Sequence, residues 1–364
     1  MDRRAFLAAT VAGPLAAGLG RPRRAGAAEV HACEPGAGWR QFEVTTRVTL
    51  LDSPGPAQLW LPLVQTAGGY QASLGLAWEG TGQTERVRDA RYGAALLRTS
   101  WQGGEAAQAV TVTQRVATRD RVGPDALAPL TEAERRFWTA PTASAPTSGP
   151  MGNIVRATAE QAIGDRREPR ERLRALYDWV VDRTWRDPAT PGCGTGDVAS
   201  MLRSGQFGGK CADINGLMVA LARAAGIPAR DVYGCRVAPS RLFPALGRSG
   251  DVSGAQHCRA EAYLDDAGWM PLDPADVRKV VLEQKLPVDD PEVRALRERL
   301  FGSWEMNWVG YNSATDVELP DALDAQRPNF AFLMYPCAFT ASGQPNCLDP
   351  ARFRYEITSR EIAA

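Results

Sequence analysis

Three residues in this sequence have the types and the spacing for acyl-transfer chemistry: Cys211, His257 and Asp273. A thiol attacks a carbonyl as the thiolate. A helix N-terminus favours that form, because its unpaired N–H groups and its dipole stabilise negative charge. Cys211 stands at such a point. Gly205-Gln206-Phe207-Gly208-Gly209-Lys210 leads up to it, and from Ala212 the pattern turns helical, with Ile214, Leu217, Met218 and Leu221 on one face. The glycines let backbone approach a substrate carbonyl closely. A cysteine met alone is more often a buried, inert thiol, so the partners decide. The chain has two histidines, His31 and His257. His31 lies close to the N-terminus, where chains are often poorly ordered. His257 opens a strand directly after the loop Arg248-Ser249-Gly250-Asp251-Val252-Ser253-Gly254, the kind of edge on which sites are built. A third group must hold the imidazole tautomer and stabilise its cation. Asp273, after Trp269-Met270-Pro271-Leu272, ends the next strand; Asp276 is a rival that fits the pairing register less well.

The elements needed to position these groups flank them. Segments 230–237, 257–264 and 268–272 read as strands, and Asp265-Asp266-Ala267-Gly268 as the turn joining the last two. Adjacent strands lie less than about 5 Å apart, so the hairpin brings His257 and Asp273 to one end. Gly226 and Pro228 stop the helix that Cys211 opens. Upstream, Pro169 starts a helix whose Leu173, Leu176, Tyr177 and Val180 form a core-facing stripe; Pro188 and Pro191 end it. Residues 34–125 read as an all-β sandwich: Phe42, Val44, Thr46, Val48 and Leu50 alternate with polar residues, and Leu59–Leu63, Leu96–Trp101 and Val110–Val116 follow between turn clusters. Residues 126–150, rich in Pro, Ser, Ala and Thr at their end, read as a linker or long surface loop. Residues 151–364 complete an α+β catalytic domain with C-terminal strands.

Gly209-Lys210-Cys211-Ala212-Asp213 followed by Ala220-Leu221-Ala222-Arg223-Ala224-Ala225-Gly226-Ile227-Pro228-Ala229-Arg230 resembles the nucleophile motif of the transglutaminase-like superfamily. His257-Cys258-Arg259-Ala260-Glu261-Ala262-Tyr263 resembles its histidine strand, and Gly268-Trp269-Met270-Pro271-Leu272-Asp273-Pro274 its aspartate motif. Order and spacing agree over residues 165–280. Where the family often carries Ala-Trp after the histidine, this chain has Cys258-Arg259. The resemblance implies a papain-like core, with the cysteine helix packed on an antiparallel sheet, and acyl transfer on amide or peptide bonds through a thioester. Cys211 is then the nucleophile, His257 the base and Asp273 its orienter, with no metal or organic cofactor. The Cys211 N–H would help bind the oxyanion. Gln206 is a candidate second donor, although nothing in the sequence fixes its direction. Trp304, Trp308, Tyr311 and Asn312 gather aromatic and amide groups in a segment without periodicity; they are candidates for a substrate-cleft wall, with ordinary core packing as the alternative.

Composition bounds the rest. With 42 basic and 42 acidic residues, there is no electrostatic case for nucleic acid. Residues 1–27 read as an export signal. Arg3-Arg4 precedes the mild apolar stretch Phe6–Gly20, which is too short to span a bilayer, and Arg21, Arg23 and Arg24 precede Ala25-Gly26-Ala27. The paired arginines resemble a twin-arginine signal, with a general secretory signal as the alternative. Either one places the mature chain in the periplasm or outside the cell, acting on protein or peptide, cell-wall peptide included. Export also permits disulfides. Seven cysteines leave at least one thiol unpaired. Cys337 and Cys347 are the first expected pair, bracketing a turn-rich loop that a hairpin would close. Cys235 and Cys258 are a second candidate pair, with a buried free thiol as the alternative for Cys258. Cys33 and Cys193 remain by elimination. No Cys-x-x-Cys pair suggests zinc and no Asp-x-Asp-x-Asp loop suggests calcium. A non-catalytic binding domain on the same fold is the competing reading.

Overall fold

The alternation read in the first strand is also its burial pattern. The computed structural model describes residues 38–51, 53–104, 107–123, 129–146, 149–320, 322, 330–351 and 353–362. The export signal, His31 and Cys33 lie outside them. In β1 (Arg40–Leu50), Phe42, Val44, Thr46, Val48 and Leu50 are buried and the residues between them are not. Then come β2 (Ala57–Pro62), β3 (Gln71–Gly80), β4 (Gln83–Arg88), β5 (Ala95–Trp101) and β6 (Gln108–Thr118). β1, β6 and β3 share one antiparallel sheet; β2, β5 and β4 share another. Val48, Val112, Leu59, Leu97 and Trp101 from the two sheets form one apolar cluster, which makes the expected sandwich. β3 and β4 carry little sequence signal because both lie at sheet edges, and β4 (Gln-Thr-Glu-Arg-Val-Arg) buries none of its residues.

The segment expected as a linker contains a helix, α1 (Glu132–Thr139). Thr131 and Glu134 form its capping box, the hydroxyl accepting from the Glu134 N–H and the carboxylate from the Thr131 N–H. Phe137 and Trp138 dock it against Tyr92 and Trp269. Helices α2 (Gly149–Ile163), α3 (Pro169–Arg183), α4 (Val198–Ser204) and α5 (Cys211–Ala224) follow, then β7 (Ala229–Arg236), β8 (Gln256–Leu264), β9 (Gly268–Leu272), α6 (Pro274–Glu283), α7 (Pro291–Arg299) and β10 (Trp308–Asn312). The α3 stripe is fully buried. α5 is buried almost throughout, as a central helix apolar on all sides should be. It packs against α2 and α3 on one side and against the antiparallel sheet β9-β8-β7-β10 on the other. This is the helix-on-sheet core that the sequence leads one to expect.

The chain then returns to the sandwich. β11 (Cys337–Thr340) pairs with β2, and β12 (Phe353–Ile362) pairs with β1 from Leu50↔Phe353 to Gln41↔Ile362. The C-terminal strands, grouped by sequence with the catalytic half, therefore complete the two sandwich sheets. A strand's own residues do not say which distant edge it will join. The halves also share apolar surface: Phe42, Val44 and Val116 pack with Cys235, Val309 and Tyr311.

The described cysteines of the expected disulfides are free thiols in the structure. β11, which carries Cys337, pairs with β2; a tight turn at Thr340–Gly343 follows it, and Cys337 and Cys347 are both free. Cys235 stands opposite Gln256 and Cys258 opposite Tyr233. The two cysteines are thus diagonal neighbours, about 7–8 Å apart, too far for an ordinary bridge, and both are free. Cys193 is free as well.

Candidate active site

The site forms where the start of α5 meets the open end of the β8–β9 hairpin. Cys211 is the first residue of α5. Asp213 fastens that turn: its carboxylate accepts from the N–H groups of Lys210 at 2.9 Å, Thr195 at 3.0 Å and Gly196 at 2.9 Å. Two glycines make room for it. A Cβ at Gly194, where φ is +91°, would meet Asp213 Oδ2 at 1.8 Å, and one at Gly209 would meet it at 2.5 Å. The Ala212 N–H donates to the Cys193 carbonyl at 2.9 Å. The Cys211 N–H has no acceptor among the described residues, which leaves it available to an oxyanion.

β8 and β9 pair from Leu264↔Gly268 to Ala260↔Leu272, around a turn in which Gly268 takes φ of +92°. Beyond the last pair, His257 Nε2 lies 2.7 Å from Asp273 Oδ2. Asp273 is fully buried and also caps α6; its Oδ1 accepts from the Asp276 N–H at 3.1 Å and from Asn215 Nδ2 at 3.3 Å. Asp276 is 3.4 Å from the same ring nitrogen, but Arg236 holds its carboxylate at 2.5 and 3.2 Å. Asp273 therefore has the orienting position, and Nδ1 is the nitrogen left for Cys211. Trp308 Nε1 steadies the strand by donating to the His257 carbonyl at 2.8 Å.

Electrostatics favour an ion pair. Hydrogen bonds from the Cys193 and Cys258 thiols, together with the neighbouring His257, outweigh burial and hold the Cys211 thiol well below the usual range. The Cys211 contact and burial push the Cys193 thiol up, and burial and Cys211 do the same to Cys258. Burial and Arg236 work to lower His257, yet Asp276 and Asp273 leave it raised. Burial and the Asp276 charge raise Asp273. Asp276 itself is held below the carboxylate range, because Arg236 and His257 overcome its burial. His257, Asp273 and Asp276 also form a set whose ligand atoms lie within 4.8 Å of one another, close enough to hold a metal. Arg236 on Asp276 and Arg259, 3.5 Å from Asp273, already supply the countercharge. The set is balanced as a triad with its support rather than as a cation cage.

Cys211 and His257 open on a cleft of about 420 Å³, bordered by Cys193, Gln256 and Tyr355. Trp304 and Trp308, expected as its wall, are buried behind the site instead. Arg259 lies over their rings at 5.6 and 4.7 Å, and Trp304 Nε1 donates to the Leu272 carbonyl at 3.1 Å. Tyr311 faces the sandwich, and Asn312 ties Leu333 to Ala314. Without periodicity, the segment gave no sign of which way its rings point. Gln206 is exposed and lies outside the cleft.

Sequence reasoning missed three contributors. Asn215, one turn after Cys211, is fully buried; it donates to the Cys258 carbonyl at 2.8 Å and accepts from the Ala275 N–H at 3.3 Å. An amide inside an apolar helix was its only cue. Cys193 comes from a loop without pattern, and its thiol also reaches the Gln256 carbonyl at 3.2 Å. Gln256 precedes the histidine and is buried in the cleft, with no signal beyond that adjacency.

Residues 156–274, which contain all three triad candidates, match the family described as the Transglutaminase-like superfamily. An uncharacterized protein of Haemophilus influenzae strain Rd is 34% identical over 337 residues, covering 85% of this chain and 88% of its own length. The chain belongs to the transglutaminase-like superfamily. Its fold is shared by a candidate cysteine protease from Cytophaga hutchinsonii, with a TM-score of 0.53 at 16% identity over 90% of this chain and 92% of that one. The periplasmic domain of TgpA from Pseudomonas aeruginosa aligns more loosely, with a TM-score of 0.34 at 17% identity over 71% of this chain and 93% of that one. No helix among the described residues of this transglutaminase-like chain is long and apolar enough to cross a membrane.

Proposed function

We propose that this protein is an exported cysteine enzyme that transfers the acyl group of a carboxamide or peptide bond through a thioester on Cys211. The observation that carries the reading is the meeting of Cys211, at the start of α5, with a His257–Asp273 pair at 2.7 Å. In the mechanism, the thiolate attacks the carbonyl carbon, and the oxyanion binds at the Cys211 N–H. The His257 imidazolium gives its proton to the leaving amine as the C–N bond breaks, which leaves the thioester. Neutral His257 then takes a proton from the incoming nucleophile, and Asp273 holds the ring throughout. Water as nucleophile gives hydrolysis; an amine gives a new amide. A binding module would gain nothing from a buried thiol whose ionisation is favoured by its neighbours. The twin-arginine-like residues 1–27 support action in the cell envelope, on protein or peptide.

The test is an assay of the mature protein against a peptide library, with and without a primary amine, beside Cys211→Ala. Cleavage or amine incorporation by the wild type that disappears in the variant is expected. Equal turnover by both proteins would remove Cys211 from the chemistry.

A further inference from the structure

The cleft in front of Cys211 is strongly cationic. Arg186, Lys210, Arg236, Arg248 and Lys279 line it, with Glu283 as the opposing carboxylate. Arg236 is paired with Asp276, and exposed Arg248 is tied to the Asp251 carbonyl. Arg186, Lys210 and Lys279 are half-buried and enter no ion pair among the described residues.

Backbone geometry sets their places. Trp185–Arg186 runs parallel to Gly208–Gly209, which puts Arg186 opposite Gly209, two residues before Cys211. Strand spacing makes that separation about 5 Å. Lys210 adjoins Cys211 in the chain. Lys279 is one turn beyond Asp276 on α6, and α6 packs on the segment carrying Arg186. Burial and the Arg236 charge lower Lys279 to about 8, and Arg186 adds to the repulsion. Like charges gathered in a half-buried cleft are unfavourable until an anion enters. Gln256 contributes a neutral donor. The residue is 8% exposed and its Nε2 has no acceptor of hydrogen-bond geometry; the nearby Tyr355 hydroxyl, on which the amide acts electrostatically, donates to the Ser253 carbonyl.

We infer that the cleft binds a substrate carboxylate next to the acyl group being transferred, so that the enzyme acts on acidic peptides. The inference rests on the proposed acyl transfer, since it seats the anion beside Cys211. Arg186 and Lys279 provide the charge and Gln256 a directional hydrogen bond.

Two measurements separate this claim from the chemistry itself. Iodoacetate and iodoacetamide both alkylate a thiolate: a sulfur–carbon bond forms as iodide leaves. Only the first carries a carboxylate. The iodoacetate-to-iodoacetamide rate ratio at Cys211, normalised to mercaptoethanol, is expected to be about tenfold or more. It should fall in the Arg186→Met/Lys279→Met double variant. High salt should lower the wild-type ratio too, which keeps the test valid if the double variant does not fold. A normalised ratio of one or less overturns the carboxylate site and leaves Cys211 a reactive nucleophile. If neither reagent modifies Cys211, it is the acyl-transfer reading that fails, and calorimetry on Cys211→Ala decides the carboxylate site by itself. There, acetyl-Ala-Glu-Ala-amide should bind about tenfold tighter than acetyl-Ala-Gln-Ala-amide. Equal affinity, or no binding of either peptide, overturns the inference.

Discussion

Replacing Cys193 with alanine should make Cys211 a weaker acid without moving the triad. Cys193 has the largest share in holding the Cys211 thiol low. Hydrogen bonds to charged groups contribute about 1.5–3 kcal/mol, and a thiol, as a weak donor, belongs at the lower end. Since one pKa unit is about 1.4 kcal/mol, Cys193→Ala should raise the Cys211 pKa by about one unit. The sign follows from a folded-state pKa that is depressed. The thiolate is present above that pKa and lost as pH falls through it, so the variant loses its thiolate at higher pH than the wild type. Iodoacetamide alkylation of Cys211 should then be about tenfold slower in the variant on the acidic limb. The two rates should converge at alkaline pH, where both proteins are ionised. The Cys193 side chain is buried, so the variant leaves a small void; a thermal melt checks that the fold survives. Superimposable pH profiles would refute the thiol network. So would a rate lowered equally at every pH, which would indicate distortion rather than a shifted ionisation.

Gly194→Ala should destabilise the protein by more than about 2 kcal/mol and slow Cys211 alkylation, because the new Cβ would occupy the place of Asp213 Oδ2 at a φ of +91°; a wild-type melting temperature would contradict this. Asn215→Ala strips hydrogen bonds from the Cys258 carbonyl and Asp273, and should cost about 1–3 kcal/mol in chemical denaturation while lowering kcat more than it raises KM. An unchanged kcat would reduce Asn215 to a packing residue. Asp231 is buried with Oδ1 unpartnered, and burial, opposed by Arg223, raises it to about 7. Its unfolded form ionises first as pH rises from about 4, so stability falls up to about pH 7 and stays lower above it. Asp231→Asn should therefore stabilise by about 4 kcal/mol at neutral pH and by little at about pH 4; an equal gain at both would contradict the assignment.

The proposed trio was legible as a cluster because each residue sits at a local boundary with its own sequence marker. Cys211 follows a glycine run and opens a patterned helix, and His257 and Asp273 close the two strands of one short hairpin. Helix α1 was equally readable in Thr131 and Glu134, but the neighbouring Pro- and Ser-rich residues obscured it. What escaped depends on distant chain meeting distant chain. Cys193 reaches Cys211 from a loop, β11 and β12 join edges of sheets begun some 300 residues earlier, from Leu50↔Phe353 onward, and Trp304 and Trp308 turn inward because Arg259 and two backbone carbonyls take them up. No local pattern encodes such meetings. Polar edge strands such as β4 escape for a different reason: they bury nothing, so they need no alternation.

Intact-mass spectrometry of the protein, quenched in acid during turnover of a peptide library, looks directly for the acyl-enzyme. The mechanism predicts an added acyl mass on Cys211 that hydroxylamine discharges. It predicts no adduct and no turnover in Cys211→Ala or His257→Ala, and residual turnover in Asp273→Asn, whose role is to position the ring. Peptide turnover that persists in Cys211→Ala, with no mass ever added to Cys211 in the wild type, would contradict it.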